Sequence, residues 1–501
     1  MLNPSKLAIS LDRDGEEPIY RQLIRHIRAQ IESGTLNTGT RLPASRDLAH
    51  QLSISRISVV NAYAELRAEG FLSAHAGRGT FISGESNGNG SAPTLAPSPA
   101  NATEAPTTPD RSIREMMRMA RKPGIISFAQ GAPPGDFFPV SHLRDAITTV
   151  LDRDGARALG YEIAEGYGPL RSAVRDYVSA LGIRCSSEQV LITGGTQQAI
   201  DLVVQALLAE GDMLVTENPT YLGIIDIVRT RRVQIHGISM DEDGIRLDML
   251  ENFILDNHPK LIYVMPSFHN PTGIVMPLHR RRQLLNLAND YRIPVLEDGV
   301  YHELRFEGDS IPPLKALDET GIVLHTSGFT KMLLPGIRIG YVISDSSHYE
   351  RLVRVKQAAD ISTPGLNQRA IHLLLERGMM AQQLERNNRE LRRRRDVALA
   401  AAAQHLPPGS YWNAPSGGLY LWVQLPKSGP TAAELYITAI HMGVAYAIGN
   451  VFYTNGCGSH RMRINFGAQK PADIEEGFKR LGRAWREVAC DYADMEKSPL
   501  L

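Results

Sequence analysis

The chain has 501 residues, 54 Lys or Arg against 54 Asp or Glu, and a formal charge of zero, so no global field draws it to nucleic acid or to a membrane. Its 43% hydrophobic and 22% charged residues are ordinary for a globular protein with room for roughly two to four domains. Cys185, Cys457 and Cys490 stand far apart, which argues against a disulfide framework or a metal site; with no signal peptide pattern at Met1 to Asp12 and no apolar run long enough to span a bilayer, the expected location is the cytoplasm.

From Pro18 to Ser33, Ile19, Leu23, Ile27 and Ile31 recur every four positions with Arg21, Arg25 and Arg28 between them, the pattern of an amphipathic helix closed by Gly34. Arg41-Leu-Pro-Ala-Ser45 reads as a turn whose serine caps a second helix, Arg46 to about Leu52. After the break at Ser53 to Ser55, a third helix runs from Arg56 to Glu69, with Val59 or Val60, Tyr63 and Leu66 as its core stripe. Two helices joined by so short a turn have helix-turn-helix geometry, which would present Ser55, Arg56, Ser58 and Asn61 to a major groove. Phe71 to Ile82 reads as two short strands around the tip Ala76-Gly-Arg-Gly79, where Gly77 lets the backbone approach phosphates and Arg78 reaches a minor groove or a phosphate. A three-helix bundle with a hairpin that binds no DNA is the alternative, and a surplus of two basic residues over positions 1–83 does little to separate them.

Residues 17–82 resemble the GntR family of winged-helix repressors in Pro18-Ile-Tyr-x-Gln-Leu, Gly39-x-Arg-Leu-Pro-x-Ser-Arg-x-Leu-Ala, Ser55-Arg-x-Ser-Val, Glu69-Gly-Phe-Leu and Gly77-Arg-Gly-Thr-Phe. The resemblance implies that Arg46, Arg56 and Ser58 contact operator DNA, with Gly77 and Arg78 in the wing. Ile57 stands where that family usually has a polar residue. Gly84 to Asp110 is rich in Gly, Ser, Pro, Ala and Thr and reads as a disordered tether, about 30 Å as a coil and roughly 80 Å extended.

Beyond it, strand-like runs begin at Val190, Met213, Leu261, Ile293, Ile322 and Ile339, separated by helix-like segments. That alternation predicts a mainly parallel, doubly wound α/β sheet with ligands at the strand C-terminal ends. The chemistry-bearing residues fall there. Gly195-Thr-Gln197 opens a helix whose amides can hold a phosphate. Tyr221 offers a ring on which a pyridine stacks, and Asn270 a hydrogen bond to a phenolic oxygen. Asp298 can pair with a protonated pyridine nitrogen, and Lys331 can condense with an aldehyde as in pyridoxal 5'-phosphate sites. Arg338 could then neutralise the phosphate and Thr330 donate to it. Taken singly, each is also an ordinary turn, core tyrosine, helix cap or surface lysine.

Ser327 to Tyr341 resembles the lysine motif of fold-type I aminotransferases, and the resemblance to the aspartate-aminotransferase-like family runs from about Ile125 to Arg483. It implies pyridoxal phosphate as an internal aldimine on Lys331, with Gly195, Thr196, Gln197, Thr330 and Arg338 at its phosphate. It further implies Tyr221 on the ring, Asn270 and Tyr301 at the phenolate oxygen and Asp298 at the ring nitrogen. Tyr161 matches the tyrosine that reaches the phosphate of a partner subunit, so a homodimer is implied, and Arg463 matches the arginine that grips a substrate carboxylate. Gly328 departs from the family's usual hydroxyl residue, which removes one phosphate contact.

The combination resembles the MocR (GabR-like) subfamily of GntR-type transcriptional regulators. The expected chain is multidomain: a winged helix-turn-helix (α+β) at 12–83, a disordered linker at 84–110, and an α/β aminotransferase-like, fold-type I domain for effector binding and dimerisation at 111–490. The function so implied is a DNA-binding regulator that senses a small amine or amino acid through aldimine exchange, with operator DNA as partner and no membrane. An active aminotransferase with an appended winged helix is the rival reading. A DNA-binding protein whose second domain only dimerises is weaker, because dimerisation alone does not call for Asp298, Lys331 and Arg338 together.

Overall fold

The computed structural model describes residues 9, 11–12, 19–82 and 118–496, except 34, 38, 53, 69–70, 76–78, 121, 132 and 134. The expected tether, the wing residues Gly77 and Arg78, and the side chains of Arg46, Arg56, Ile57 and Asn61 lie outside that set. The chain divides into two compact units, an N-terminal one and one spanning Met119–Ala489.

In the first unit, α1 (Ile19–Glu32), α2 (Ser45–Leu52) and α3 (Arg56–Ala68) are followed by β1 (Leu72–His75) and β2 (Gly79–Ile82). The strands pair antiparallel with Leu72 opposite Ile82. Leu23, Ile27, Leu48, Val59, Tyr63, Leu66, Leu72 and Ile82 form one buried cluster, so Val59 rather than Val60 faces the core. The Tyr63 hydroxyl donates to Pro43 O at 3.0 Å, which fixes the turn entering α2 against α3. This is the winged helix that the sequence led us to expect.

The second unit opens with β3 (Ile126–Ser127) and is built on eight strands. They are β4 (Val190–Thr193), β5 (Met213–Asn218), β6 (Gln234–Asp241), β7 (Gly244–Ile245), β8 (Leu261–Val264), β9 (Val295–Asp298), β10 (Val323–Gly328) and β11 (Gly340–Ile343). Their order is β4-β11-β10-β9-β8-β5-β6-β7, with β6, β5, β8, β9 and β10 parallel. The run at Ile339 does not continue the parallel set: β11 is antiparallel to β10 and β4. The loop carrying Lys331 is too short for the crossover a parallel return needs. It also explains Gly328, where a Cβ would come within 2.8 Å of Gly340 Cα and 3.0 Å of Ile339 O.

The central strands are buried on both faces, and Val215, Ile262, Val264, Val295 and Val323 pack with Leu250, Ile254, Leu284 and Leu287 from two helices. A second, antiparallel sheet that the sequence reading did not anticipate has the order β12 (Tyr411–Trp412), β13 (Tyr420–Gln424), β16 (Arg461–Asn465), β15 (Ala447–Ile448). Between them in sequence, β14 (Val444–Ala445) pairs with β3. No helix among the described residues is long and apolar enough to cross a membrane.

Arg281, fully buried in helix Leu278–Asp290, holds the loop after β8. It donates to Pro266 O at 2.8 Å, Met276 O at 2.9 Å, Pro312 O at 2.9 Å and Ser267 Oγ at 2.9 Å. Burial lowers its pKa to about 10. Arg281→Leu would leave the Met276 and Pro312 carbonyls without this donor, while Pro266 O keeps Met276 N, so a loss of roughly 2 kcal/mol or more is expected in equilibrium urea unfolding. A loss below about 1 kcal/mol would contradict this role for Arg281.

Candidate functional site

The ends of β4, β5, β8, β9 and β10 bring the candidate residues together. Gly195, at φ 100, caps helix Thr196–Leu207, and a Cβ there would lie 2.8 Å from the Arg338 guanidinium. Arg338 therefore lies against the helix N-terminus, where backbone N–H groups and the helix dipole favour an anion. The hydroxyls of Thr196 and Thr330 are buried without hydrogen-bond partners. From behind, Gly194 N donates to Gln198 Oε1 at 2.5 Å and Gln198 Nε2 to Asp360 Oδ2 at 2.9 Å. Asp360 pairs at 2.8 Å with the fully buried Lys356. Sequence reasoning missed this anchoring; two charged residues four apart on a helix look like a surface pair.

The Gln197 side chain is committed elsewhere: its Oε1 accepts from the Tyr221 hydroxyl at 2.8 Å and its Nε2 donates to Gly223 O at 3.2 Å. Its backbone N–H is what remains for an anion, while its amide sets the plane of the Tyr221 ring. Gly223 is required there, since a Cβ would meet the ring at 2.3 Å.

Asp298, at the end of β9, accepts from Val300 N at 3.1 Å and from the Tyr263 hydroxyl at 2.9 Å. Burial raises its pKa to about 6, opposed by those two bonds and by His325 and Lys331. Tyr263 went unnoticed in the sequence; the available signal was that a tyrosine inside a fully buried strand must find a partner for its hydroxyl. Beneath Asp298, Glu297 takes hydrogen bonds from Leu314 N at 2.7 Å and Lys315 N at 3.0 Å and lies 2.8 Å from His325 Nδ1. Burial pushes its pKa up, but His325, with its charge and hydrogen bond, leads the forces that hold it at about 2.

Three consecutive carbonyls after β3 are held by three side chains. Ala129 O accepts from Arg463 Nη2 at 2.8 Å, Gln130 O from Asn465 Nδ2, and Gly131 O from Lys331 Nζ. Burial, then Arg463 and Arg338, lower the Lys331 pKa to about 8, with Asp298 opposing. Arg463 is 6% exposed, donates to Asn270 Oδ1 at 2.8 Å, and lies 4.3 Å from the Tyr420 ring and 4.8 Å from the Phe452 ring. Its Nε has no partner, and no carboxylate among the described residues pairs with it. With its Oδ1 taken, Asn270 has its amide NH2 to offer an acceptor. The Tyr301 hydroxyl lies 2.7 Å from that of Tyr420.

Thus Gly195, Thr196, Tyr221, Asn270, Asp298, Tyr301, Lys331, Arg338 and Arg463 belong to one constellation. Tyr161 does not join it within the chain: it is 86% exposed, on a loop with exposed Leu159 and Ile163. The constellation fits pyridoxal phosphate: two orphaned hydroxyls, an arginine and a helix N-terminus suit its phosphate, a buried carboxyl its ring nitrogen, and a lysine of lowered pKa its aldehyde. No cluster of metal-ligating residues occurs among the described residues. In the first unit, Ser55 and Ser58 are half-buried at the start of α3, where Ser58 N donates to Ser55 O at 3.0 Å, and Arg46 and Arg56 stand in the first turns of α2 and α3.

Residues 123–481 match the family model for aminotransferase class I and II, and residues 19–82 that for bacterial regulatory proteins of the gntR family. An uncharacterized HTH-type transcriptional regulator of Bacillus subtilis, YdfD, is 29% identical over 94% of this chain and 97% of its own. The probable rhizopine catabolism regulatory protein MocR of Rhizobium meliloti is 30% identical over 79% of each chain. The crystal structure of LysN, an α-aminoadipate aminotransferase from Thermus thermophilus, superimposes with a TM-score of 0.71 at 35% identity, over 76% of this chain and 95% of that one.

The lowered Lys331 pKa sets a pH dependence. The neutral amine fraction grows as pH rises through about 8, rather than through the ordinary value of 10.5. Uptake of pyridoxal phosphate by cofactor-free protein should therefore accelerate roughly tenfold per pH unit below that point and level off above it. Arg463→Ala removes a neighbouring cation and should move the midpoint upward. A wild-type rate still climbing at pH 10, followed by stopped-flow absorbance, would contradict the assignment.

Proposed function

The chain belongs to the aminotransferase class I and II family, with a gntR-family regulatory domain in front of it, and from that premise we propose that it is a transcriptional regulator whose operator binding responds to a small amino compound. Its cofactor is pyridoxal 5'-phosphate, whose carbonyl carbon, when bound, condenses reversibly with primary amines. The observation that carries the reading is Arg463, a buried cation without a carboxylate, beside an amine of lowered pKa, in one chain with a winged helix.

Each residue then has a task. Arg338, Thr196, Thr330 and the amides at Gly195 to Gln197 hold the phosphate. Tyr221, fixed by Gln197, backs the ring; Asp298, fixed by Tyr263, keeps a proton at the ring nitrogen; Asn270 and Tyr301 hold the phenolic oxygen. Lys331 would be the chain's own amine at the carbonyl carbon, and its free amine donates to Gly131 O. Arg463 takes the ligand's carboxylate, which makes an amino acid the favoured class. The exposed Leu159, Tyr161 and Ile163 support a homodimer in which Tyr161 reaches the partner subunit's phosphate site. We assign 12–83 to operator binding, 84–110 to the tether and 111–490 to sensing and dimerisation, in the cytoplasm. An aminotransferase with an appended reader is the second reading, favoured by the full cofactor set and by the α-aminoadipate aminotransferase among the similar structures. Conversion of a 2-oxo acid at the expense of an amino donor would favour it.

Lys331→Ala should fold, dimerise and bind operator with unchanged affinity but lose the response to any amino compound that shifts wild-type binding in a gel-shift titration. An undiminished response would refute the reading. In the reader, Arg56→Ala should weaken specific operator binding by about 1–3 kcal/mol more than random DNA, whereas Arg78→Ala should weaken both alike and flatten the salt dependence. Equal losses for the two variants on both DNAs would contradict these roles.

A further inference from the structure

Tyr420 has no part in the roles assigned above, yet it meets Arg463, Tyr301 and Gly131 at once. It opens β13, whose register with β16 sets Tyr420 opposite Asn465 and Trp422 opposite Arg463. Tyr420 and Arg463 are thus diagonal neighbours on one face of the small sheet, and the guanidinium carbon lies 4.3 Å from the tyrosine ring centroid. The Tyr420 ring also meets Tyr301 edge to face, at 5.6 Å and 79°. The two hydroxyls, on residues 1% and 3% exposed, are 2.7 Å apart. Gly131 closes the third side, where a Cβ would lie 3.1 Å from the Tyr420 hydroxyl. Tyr301 comes from the loop after β9, so this hydroxyl pair joins the small sheet to the large one.

We propose that Tyr420 is a positioning residue that relays the pairing of Arg463 with a carboxylate to Tyr301, and through it to the phenolic oxygen of the cofactor. The inference rests on the functional reading above. Each tyrosine has one proton to donate. If Tyr301 donates to the cofactor, its own oxygen must take the proton of Tyr420, and hydrogen bonds in such a chain polarise one another. A guanidinium against the Tyr420 ring withdraws electron density and makes Tyr420 a better donor. Tyr301 then becomes a better donor in turn. A carboxylate on Arg463 offsets that cation and weakens both links. The pair therefore reports ligand carboxylate to the cofactor without any movement of the backbone. Besides Arg463, Tyr221 acts on Tyr301, Asp298 acts on Tyr221, and Lys331 meets the same Gly131 as Tyr420; all are the same in the variants below.

The test is a pH titration of the absorbance of bound pyridoxal phosphate in full-length protein, with and without saturating acetate as a carboxylate that lacks an amine. In wild type, acetate should shift the titration midpoint upward. Tyr420→Phe keeps the ring under Arg463 and removes only the hydroxyl. It should raise the midpoint by about half a unit or more in the absence of acetate and reduce the acetate shift, the remainder passing through Asn270, which Arg463 also holds at 2.8 Å, at unchanged cofactor stoichiometry. Tyr420→Leu also removes the support beneath Arg463 and should in addition weaken acetate binding several-fold. A Tyr420→Phe midpoint and acetate shift equal to wild type would overturn the relay, leaving Tyr420 a packing residue. So would equal behaviour of Tyr420→Leu, which covers the case of a Phe variant that fails to load. A wild-type protein that takes up no pyridoxal phosphate overturns the functional reading itself, and the relay with it.

Discussion

Two cations and one carboxyl share a site that offers them few partners. Asp298 and Arg463 are buried, and Lys331 and Asp298 are each perturbed by burial and by one another. Leaving Arg463 buried without a carboxylate costs stability, because the desolvation of a cation is offset only by two carbonyl-type acceptors and two aromatic faces. A protein keeps such an arrangement where an anionic ligand completes it. Much of the surrounding architecture serves to hold these three groups at one place: the antiparallel β11 turns the lysine loop back, Arg281 braces the loop carrying Asn270, and the small sheet delivers Arg463.

The row of carbonyls at Ala129, Gln130 and Gly131 connects this chemistry to the backbone. Arg463 and Lys331 each hold one, so a ligand that engages either side chain competes with a hydrogen bond that fixes the first segment of the second unit. A ligand alters DNA binding only through a difference in its affinity for two conformations of the protein, and the exchange of one hydrogen-bond partner for another at these two side chains is a direct source of that difference.

Much of this was legible in the sequence, for a physical reason. The candidate residues at strand C-terminal ends are local: Gly195, Tyr221, Asn270, Asp298 and Lys331 each follow a strand run that hydrophobicity alone marks. What stayed hidden depends on contacts between segments far apart. Tyr263 read as one apolar strand residue, Tyr420 lay on a sheet of short strands with little periodicity, and Gln197 gave no sign that its amide would turn to Tyr221. The direction of β11 was readable in principle, since eleven residues between Gly328 and Gly340 leave no room for a crossover helix. In the reader, periodicity placed α1, α2 and α3 within a residue of their observed bounds, because a three-helix core of so few residues leaves one way to bury the stripe.

The central claim is that exchange at Lys331 is the event the operator feels. Borohydride would fix pyridoxal phosphate irreversibly to Lys331 and so separate that exchange from every other effect of a ligand. Operator affinity would be measured at constant salt for the native and the reduced protein, across a panel of amino compounds. Both forms should bind operator, the native form should respond to at least one compound, and the reduced form should respond to none. An equal response in both forms would contradict the claim.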